Sequence, residues 1–466
     1  MIPILNVEET RELDRQAAND GKMSVLIERS GYGVYKGALD LLGGTYAKRV
    51  VAICGKGNNG NDARVAADLL ARRGAKVVAT DANAQIQIPP GTDLVIDGAF
   101  GTGFRGEYQS PTVPQFSQVL AVDIPSGVNG DTGVACVGAT RADMTVCLGT
   151  LKPGLVFGDG PNKAGKVVVH DIGLRPGKFD KWLVEYNDCV KILPHRGRAD
   201  HKWSYPVGIL GASEGMEGAS HLCALAALRS GAGMVRVVVT DNGPLRYPIS
   251  EAVFDRFPIQ GFVDEFVRAT RRWKVAIVGP GLGLDHSGDL GGFKAQLVRA
   301  ILKEVTIPVI LDADALKVFG SPFELGELTR QNPVQNVVIT PHEGEFQALV
   351  GRKPDSDRIS EVVSLAKTTG ATVLLKGPST VVASPDGRAA VVTSGTSNLA
   401  TAGTGDVLAG LIGALIAQGM SCFEATFCGA YIHGDSARGS SQGRLIASDL
   451  PHLIGTWFEK NCSTSN

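Results

Sequence analysis

No charge of either sign dominates this sequence: 46 Lys and Arg stand against 47 Asp and Glu, for a net charge of −1. A near-neutral chain sets up no global field that would recruit nucleic acid or an anionic membrane. Its one basic cluster, HRGRADHK (195–202), is short and fits a hinge or a local phosphate contact. Eight cysteines are scattered without a single C-x-x-C pair. That spacing excludes the usual zinc motifs and fits free thiols in a reducing compartment. The longest apolar stretch, 407–417, is too short to span a bilayer and is broken by glycine. The first residues, MIPILNVEETRELD, turn acidic at once and do not read as a signal peptide. No short-period repeat or low-complexity tract occurs. The expectation is a cytoplasmic protein that acts on a small molecule.

What is present is the material of a large α/β protein. At 466 residues, 44% apolar and 20% charged, the chain exceeds one ordinary core, so two or three domains are expected. Short β-rich runs alternate with helical patterns. In the first half, strands are expected at 49–55, 75–80, 93–100, 118–125, 144–149 and 166–173. NVEE (6–9) reads as a capping box that opens a helix. The pattern lapses over 174–200, where proline, glycine and charge cluster. It resumes at 206–211, 234–239, 274–279, 308–314, 337–340 and 372–376, and 380–393 reads as a hairpin with its turn at Pro385–Gly387. Unbroken apolar strands alternating with helices predict parallel sheets covered on both faces. The domains are expected at 1–189 and 190–466.

In open parallel sheets, ligands bind beyond the carboxyl ends of the strands. In the first half those ends carry GKGNNGND (55–62), DGAFGTGFRGE (97–107) and DIPSGVNGDTG (123–133). Glycines let backbone N–H groups approach an anion, and a following helix N-terminus adds a favourable dipole. A tight βα turn accounts equally well for any one of these loops; three on successive strands favour a site. Asp97, Asp123 and Ser126 are candidates for proton transfer or cation coordination, and an oxygen-only set suits a hard cation, not zinc.

In the second half the strand ends carry GPGLG (279–283), DADAL (312–316), TPHEGEF (340–346), KGPST (376–380) and TAGTGD (401–406). The last is the most specific. Its Thr/Gly turn would offer amide donors to an anion, and Asp406, just inside the helix, would take a proton from the atom beside that anion. The plainer reading of Asp406 is a helix cap or dipole partner. His342 is either a ligand contact or a helix-start residue. His433 lies on an apolar helix and reads as core, as does the stripe Val407, Leu411, Leu415 with Leu408, Ile412, Ile416.

Taken in order, HK (201–202), SGAGMVRV, GPGLG, DADAL, TPHEGE, LLKG and AGTGDVLAG, preceded by NNGND, DGAFGTGFRGE and VDIPSG, resemble the NAD(P)H-hydrate repair enzymes. That family fuses an epimerase to an ADP- or ATP-dependent dehydratase. The resemblance covers nearly the whole chain. It implies an N-terminal Rossmann-like three-layer domain followed by a C-terminal ribokinase-like α/β domain. By the same resemblance, Asn58, Asn59, Gly60, Asn61 and Asp62 contact the hydrated nucleotide. So do Gly101, Thr102, Gly103, Phe104, Arg105, Gly106 and Glu107, together with Asp123; Asp123 in the first domain and Asp406 in the second are the catalytic candidates. Asn59, Asp97 and Ser126 would hold potassium. In the second domain Ala219, Gly281, His342 and Asp406 match substrate positions, and Lys376, Gly377, Pro378, Ser379, Thr380 and Gly405 match the adenine-nucleotide site. ADP or ATP, K⁺ and Mg²⁺ are the implied cofactors, and a homo-oligomer the implied assembly.

The first loop departs from the family pattern NNGGDG, with Asn61 and Ala63 in place of glycines. Asn tolerates positive φ, so Asn61 is expected to keep a turn, whereas Ala63 adds a methyl where close approach would matter. Trp203 and Pro206 likewise replace glycines in HKWSYP. Two alternatives follow: an ATP-dependent small-alcohol kinase of vitamin metabolism, and a nucleotide-binding protein whose epimerase domain is inactive.

Overall fold

The computed structural model describes residues 1–82, 86–174, 176–240, 249–284, 290–438 and 444–462. The chain divides into two compact units, Ile2–Trp182 and Leu183–Asn466 with Met1. The division falls a few residues ahead of the 189/190 expected. Val184 N–H donates to Val391 O at 2.9 Å, which ties the segment after Trp182 to the second unit.

In the first unit six strands pair in the order 76–81, 49–54, 94–98, 118–122, 144–148, 166–170, every pair parallel. Their β-branched, unbroken apolar sequences suit a sheet buried on both faces. Helices Met23–Leu42 and Asn58–Arg72 cover one face, burying Val34, Ala38, Ala66 and Leu70 against Val50, Ala52, Ile96 and Leu120. Loop residues cover the other: Ile88, Ala99 and Ala142 pack on Val51, Ile53, Val95 and Val119. The chain leaves strand 49–54 for the neighbour on one side, then returns to 94–98 on the other, so a switch point lies between these two strands. The expected capping box is present: Glu9 N–H donates to Asn6 Oδ1 and Asn6 N–H to Glu9 Oε2, each at 2.8 Å.

The second unit carries strands in the order 389–392, 380–383, 372–375, 337–339, 309–311, 275–278, 206–211, 234–239, 253–256. All neighbours are parallel except in the 380–392 hairpin and its pairing with 372–375. Here the switch point lies between 206–211 and 275–278. Pro206 opens the central strand at its first residue, where a missing N–H is tolerated. Trp203 sits in a turn closed by His201 N–H donating to Ser204 Oγ at 3.0 Å. Helix Thr404–Ala417 is buried from Val407 onward. Its glycines allow that burial: a Cβ on Gly410 would lie 2.1 Å from Cys223 O, and one on Gly413 2.6 Å from Ile277 Cδ1. The α/β architecture expected for both halves is present. Edge strand Val253–Arg256 was not expected.

Candidate active sites

The first-unit switch point opens into a cavity of about 560 Å³, within the range of small-molecule sites. Met23, Leu26, Ile27, Phe100 and Phe104 give it an apolar wall; Arg11 and Lys56 are its exposed cations. Of the residues expected to contact substrate, Asn58, Asn59, Gly60, Asp62, Gly101, Thr102, Gly103, Phe104 and Asp123 line it. Asn61, Arg105, Gly106 and Glu107 are absent from the lining.

The structure corrects both readings of the altered loop. Residues 58–72 are already helix, with Gly57 as the N-cap, so Asn61 needs no positive φ and has none. Ala63 is fully buried and faces the sheet, where its Cβ lies 2.6 Å from the position a Cβ on Gly98 would take. Its methyl therefore does not reach the cavity.

At the cavity floor, Asp123 holds φ +65°, a strained conformation for a non-glycine. Its Oδ1 accepts from Leu148 N–H at 2.9 Å and from Lys152 Nζ at 2.5 Å. Lys152 is 1% exposed and also donates to Leu148 O at 3.0 Å. Asp62 and Asp14 share the floor. Burial raises the Asp62 carboxyl to about 8, with help from the charges of Asp123 and Asp14. Burial also raises Asp14. Lys152, Asp14 and Arg11 went unnoticed in the sequence; the only local signal was the position of Lys152 just after strand 144–148.

Asp97 and Ser126 sit together beneath the loop. Ser126 N–H donates to Asp97 Oδ2 at 2.9 Å and Ser126 Oγ to Asp97 Oδ1 at 2.6 Å. Asn59 Nδ2 donates to Val122 O at 2.6 Å, and a Cβ on Gly101 would stand 2.6 Å from its Oδ1. Asp97 is 1% exposed, and no cation among the described residues is hydrogen-bonded to it. Burial raises its pKa.

The second unit builds its site around another buried ion pair. Asp312, at the end of strand 309–311, is 1% exposed. Its Oδ1 accepts from Lys376 Nζ at 2.6 Å and from Thr340 Oγ1 at 2.7 Å. Lys376 in turn lies under the glycine loop, where a Cβ on Gly405 would come within 3.2 Å of its Nζ. The loop turns through Gly403 at φ +90°, and the helix starts there without a side-chain cap. Asp406 occupies the first turn. Burial raises its carboxyl to about 7; Asp312 adds to that shift and Lys376 opposes it. His433 is buried, as expected of a core residue, and its Nε2 meets Thr404 O at 3.0 Å, bracing the loop from behind.

Ala219 and Gly281 are neighbours: a Cβ on Gly281, at φ +64°, would stand 3.4 Å from Ala219 Cβ. His342 is the N-cap of helix Glu343–Val350, with its Nδ1 accepting from Gly344 and Glu345 N–H. Gly377, Pro378 and Ser379 form the turn after strand 372–375 and Thr380 opens the next strand, with Gly377 and Pro378 exposed. Asp312 was visible only as part of DADAL; its partner lies 64 residues away, beyond any local pattern.

Two sequence-family profiles match the chain. One, described as NAD(P)H-hydrate dehydratase, covers residues 207–459; the other, YjeF-related protein N-terminus, covers 23–88 and 78–154. The bifunctional NAD(P)H-hydrate repair enzyme of Moorella thermoacetica is 32% identical over 96% of this chain and 95% of its own. The chain belongs to the bifunctional NAD(P)H-hydrate repair enzymes. The Mycobacterium tuberculosis H37Rv enzyme of that description is 36% identical over 82% of this chain and 81% of its own. Among solved structures, the ADP/ATP-dependent NAD(P)H-hydrate dehydratase of Bacillus subtilis, co-crystallised with ATP and Mg²⁺, matches 60% of this chain and 98% of its own at TM-score 0.50 and 27% identity. A ribokinase-like superfamily protein of Enterococcus faecalis shares the fold, at TM-score 0.52 and 23% identity.

Proposed function

We propose that the two sites divide hydrate repair between them: epimerisation in the cavity of the first unit and dehydration at the glycine loop of the second. The enzyme is a bifunctional NAD(P)H-hydrate epimerase and nucleotide-dependent (S)-NAD(P)H-hydrate dehydratase. The observation that carries the assignment of the second site is Lys376, held by Asp312 under Gly405 with Asp406 alongside.

The substrate is a reduced nicotinamide that has added water, with a hydroxyl on C6 beside the ring nitrogen. Hydroxide is a poor leaving group; ADP or ATP supplies the phosphoryl group that makes the oxygen a good one. Asp406 takes the proton of the C6 hydroxyl, and its raised pKa suits that task near neutral pH. Lys376 and the loop amides around Gly405 hold the phosphate charge. Residues Lys376 to Thr380 border the nucleotide, while Ala219, Gly281 and His342 border the hydrate. No cluster of three metal-binding side chains exists among the described residues, so Mg²⁺ would enter with the nucleotide's phosphates.

In the first unit, Asn58, Asn59, Gly60 and Asp62 of one loop and Gly101, Thr102, Gly103 and Phe104 of the other, with Asp123, hold the hydrate. Potassium fits Asp97, Ser126 and Asn59, because Asp97 is a buried carboxylate met by hydroxyl and amide donors but by no cationic side chain among the described residues. No helix among the described residues is long and apolar enough to cross a membrane. We place the enzyme in the cytoplasm as a homo-oligomer that binds no nucleic acid or membrane. The balanced charge supports the last point.

Product analysis tests the function. Hydrate supplied with ADP or ATP should return reduced nicotinamide and inorganic phosphate. A stable phosphorylated alcohol would instead make the second unit a small-alcohol kinase. Epimerisation should lose most of its rate without potassium and ignore zinc chelators; an unchanged rate would remove the ion from Asp97.

A further inference from the structure

The first-unit cavity holds three carboxyl groups and one buried ammonium. Lys152 cannot serve them all. An ammonium has three N–H donors, and the Lys152 Nζ already meets Asp123 Oδ1 at 2.5 Å, Leu148 O at 3.0 Å and Cys147 Sγ at 3.8 Å. Asp123 is thereby fixed as the counter-ion of Lys152. Asp62 is left as a carboxyl that is 3% exposed, lines the cavity and receives no hydrogen bond from any described residue. Asp14, from helix Val7–Asn19, lines the same floor.

We propose that Asp62, with Asp14 as its neighbour, is the proton-carrying catalytic acid–base group of this cavity, and that Asp123 and Lys152 form a fixed ion pair that positions it. The inference rests on reading the cavity as the epimerase site. Charge arithmetic supports it: one ammonium neutralises one carboxylate, and a second and third ionised carboxyl in a buried site repel one another and lack solvation. The groups that act on Asp62 are Asp123, Asp14 and Lys152, and burial is the largest influence. The result is a carboxylic acid that keeps its proton at neutral pH, as a proton donor requires.

Asp62 gives its proton to the C6 hydroxyl oxygen while the C6–O bond breaks. The ring-nitrogen lone pair closes a C=N bond, and water leaves. The planar cation then turns about its bond to the ribose and presents the other face of C6 to Asp62; water adds there, the C=N electrons return to nitrogen, and the added oxygen's proton goes back to the Asp62 carboxylate. No oxidant or reductant is needed. The apolar wall of Leu26, Ile27, Phe100 and Phe104 limits the water present and keeps the Asp62 carboxyl protonated.

The test measures interconversion of the R and S hydrates by the full-length enzyme without nucleotide, corrected for the spontaneous rate. Wild type should epimerise, with a rate that is level below pH 8 and falls above it as Asp62 loses its proton. Asp62→Asn should lose at least about 100-fold in kcat with little change in KM and an unchanged melting temperature. Wild-type enzyme without activity would remove the epimerase reading of the cavity and the proposal with it. Active wild type with Asp62→Asn within threefold of it would overturn the proposal alone. So would a rate that rises with pH through 8, which needs no variant and stands even where Asp62→Asn fails to fold.

Discussion

The two units solve one electrostatic problem with the same parts and different surroundings. Each buries a lysine against an aspartate: Lys152 with Asp123 at 2.5 Å, Lys376 with Asp312 at 2.6 Å. Each then places a second aspartate, Asp62 or Asp406, near the start of a helix, where burial lifts its carboxyl to about 8 or about 7. The difference lies in what the lysine faces. Lys152 is consumed by its own protein partners and merely fixes local charge. Lys376 lies under an uncapped glycine loop, where a phosphate can meet both its ammonium and the loop amides. A buried lysine–aspartate pair is therefore no signature of phosphate chemistry by itself; the helices that start at Gly57 and Gly403 both lack a side-chain cap, and the approach of the Lys376 ammonium to its loop makes the distinction.

That comparison breaks most sharply at Asp406. Asp406→Asn should lower dehydration turnover by about two to four orders of magnitude with little loss of stability, because Asn preserves shape. Nucleotide should bind at least as tightly, since a negative charge beside the phosphates is gone. Turnover, nucleotide affinity and melting temperature measured together decide it; normal turnover would return Asp406 to a plain first-turn acid.

Asp312→Asn tests whether the second lysine is positioned as described. Without its counter-ion, Lys376 should leave the loop, and we expect KM for nucleotide to rise about tenfold or more, with a smaller fall in kcat. The equivalent change at Asp123 should leave nucleotide KM untouched and alter epimerisation instead.

The pH profiles sharpen the contrast. As the proposed base, Asp406 must be ionised, so kcat/KM for dehydration should rise with pH and level off above about 7. Asp62 acts first as an acid, so epimerisation should run the other way. Opposite limbs from one polypeptide, read in separate assays, would be hard to produce by unfolding.

The smallest effect concerns the altered loop. Ala63→Gly restores the family residue, yet epimerisation should change less than about twofold, because Ala63 packs on Gly98 and does not line the cavity. Stability should fall by about 1 kcal/mol, the cost of glycine within a helix. A large gain in epimerase rate would show that the methyl matters after all.

Much of this was legible in the sequence. Strands rich in Val and Ile and buried on both faces, such as 49–54 and 275–278, announce themselves through unbroken apolar runs. The glycine loops fall at their ends by the logic of parallel sheets. Strand Val253–Arg256 escaped because VFDR, at a sheet edge, carries only two apolar residues. GNNGND looked like a turn, yet Gly57 begins a helix there, which moved Asn61 outside the cavity and Ala63 into the core. The charge partners were the least visible. Lys152 and Asp123 are 29 residues apart and Lys376 and Asp312 are 64 apart, pairings that only the sheet order creates. Asp123 was expected to be catalytic, and its Oδ1 is the atom that Lys152 and Leu148 N–H occupy.

The most direct test of two cooperating sites is a single progress curve. An equal mixture of R and S hydrates is given to the full-length enzyme with ADP or ATP and potassium, and reduced-nicotinamide absorbance is followed faster than the epimers interconvert spontaneously. The account expects recovery of the whole mixture in one continuous rise. A plateau at half recovery, followed only by the slow spontaneous drift, would contradict it by leaving the first unit without its activity.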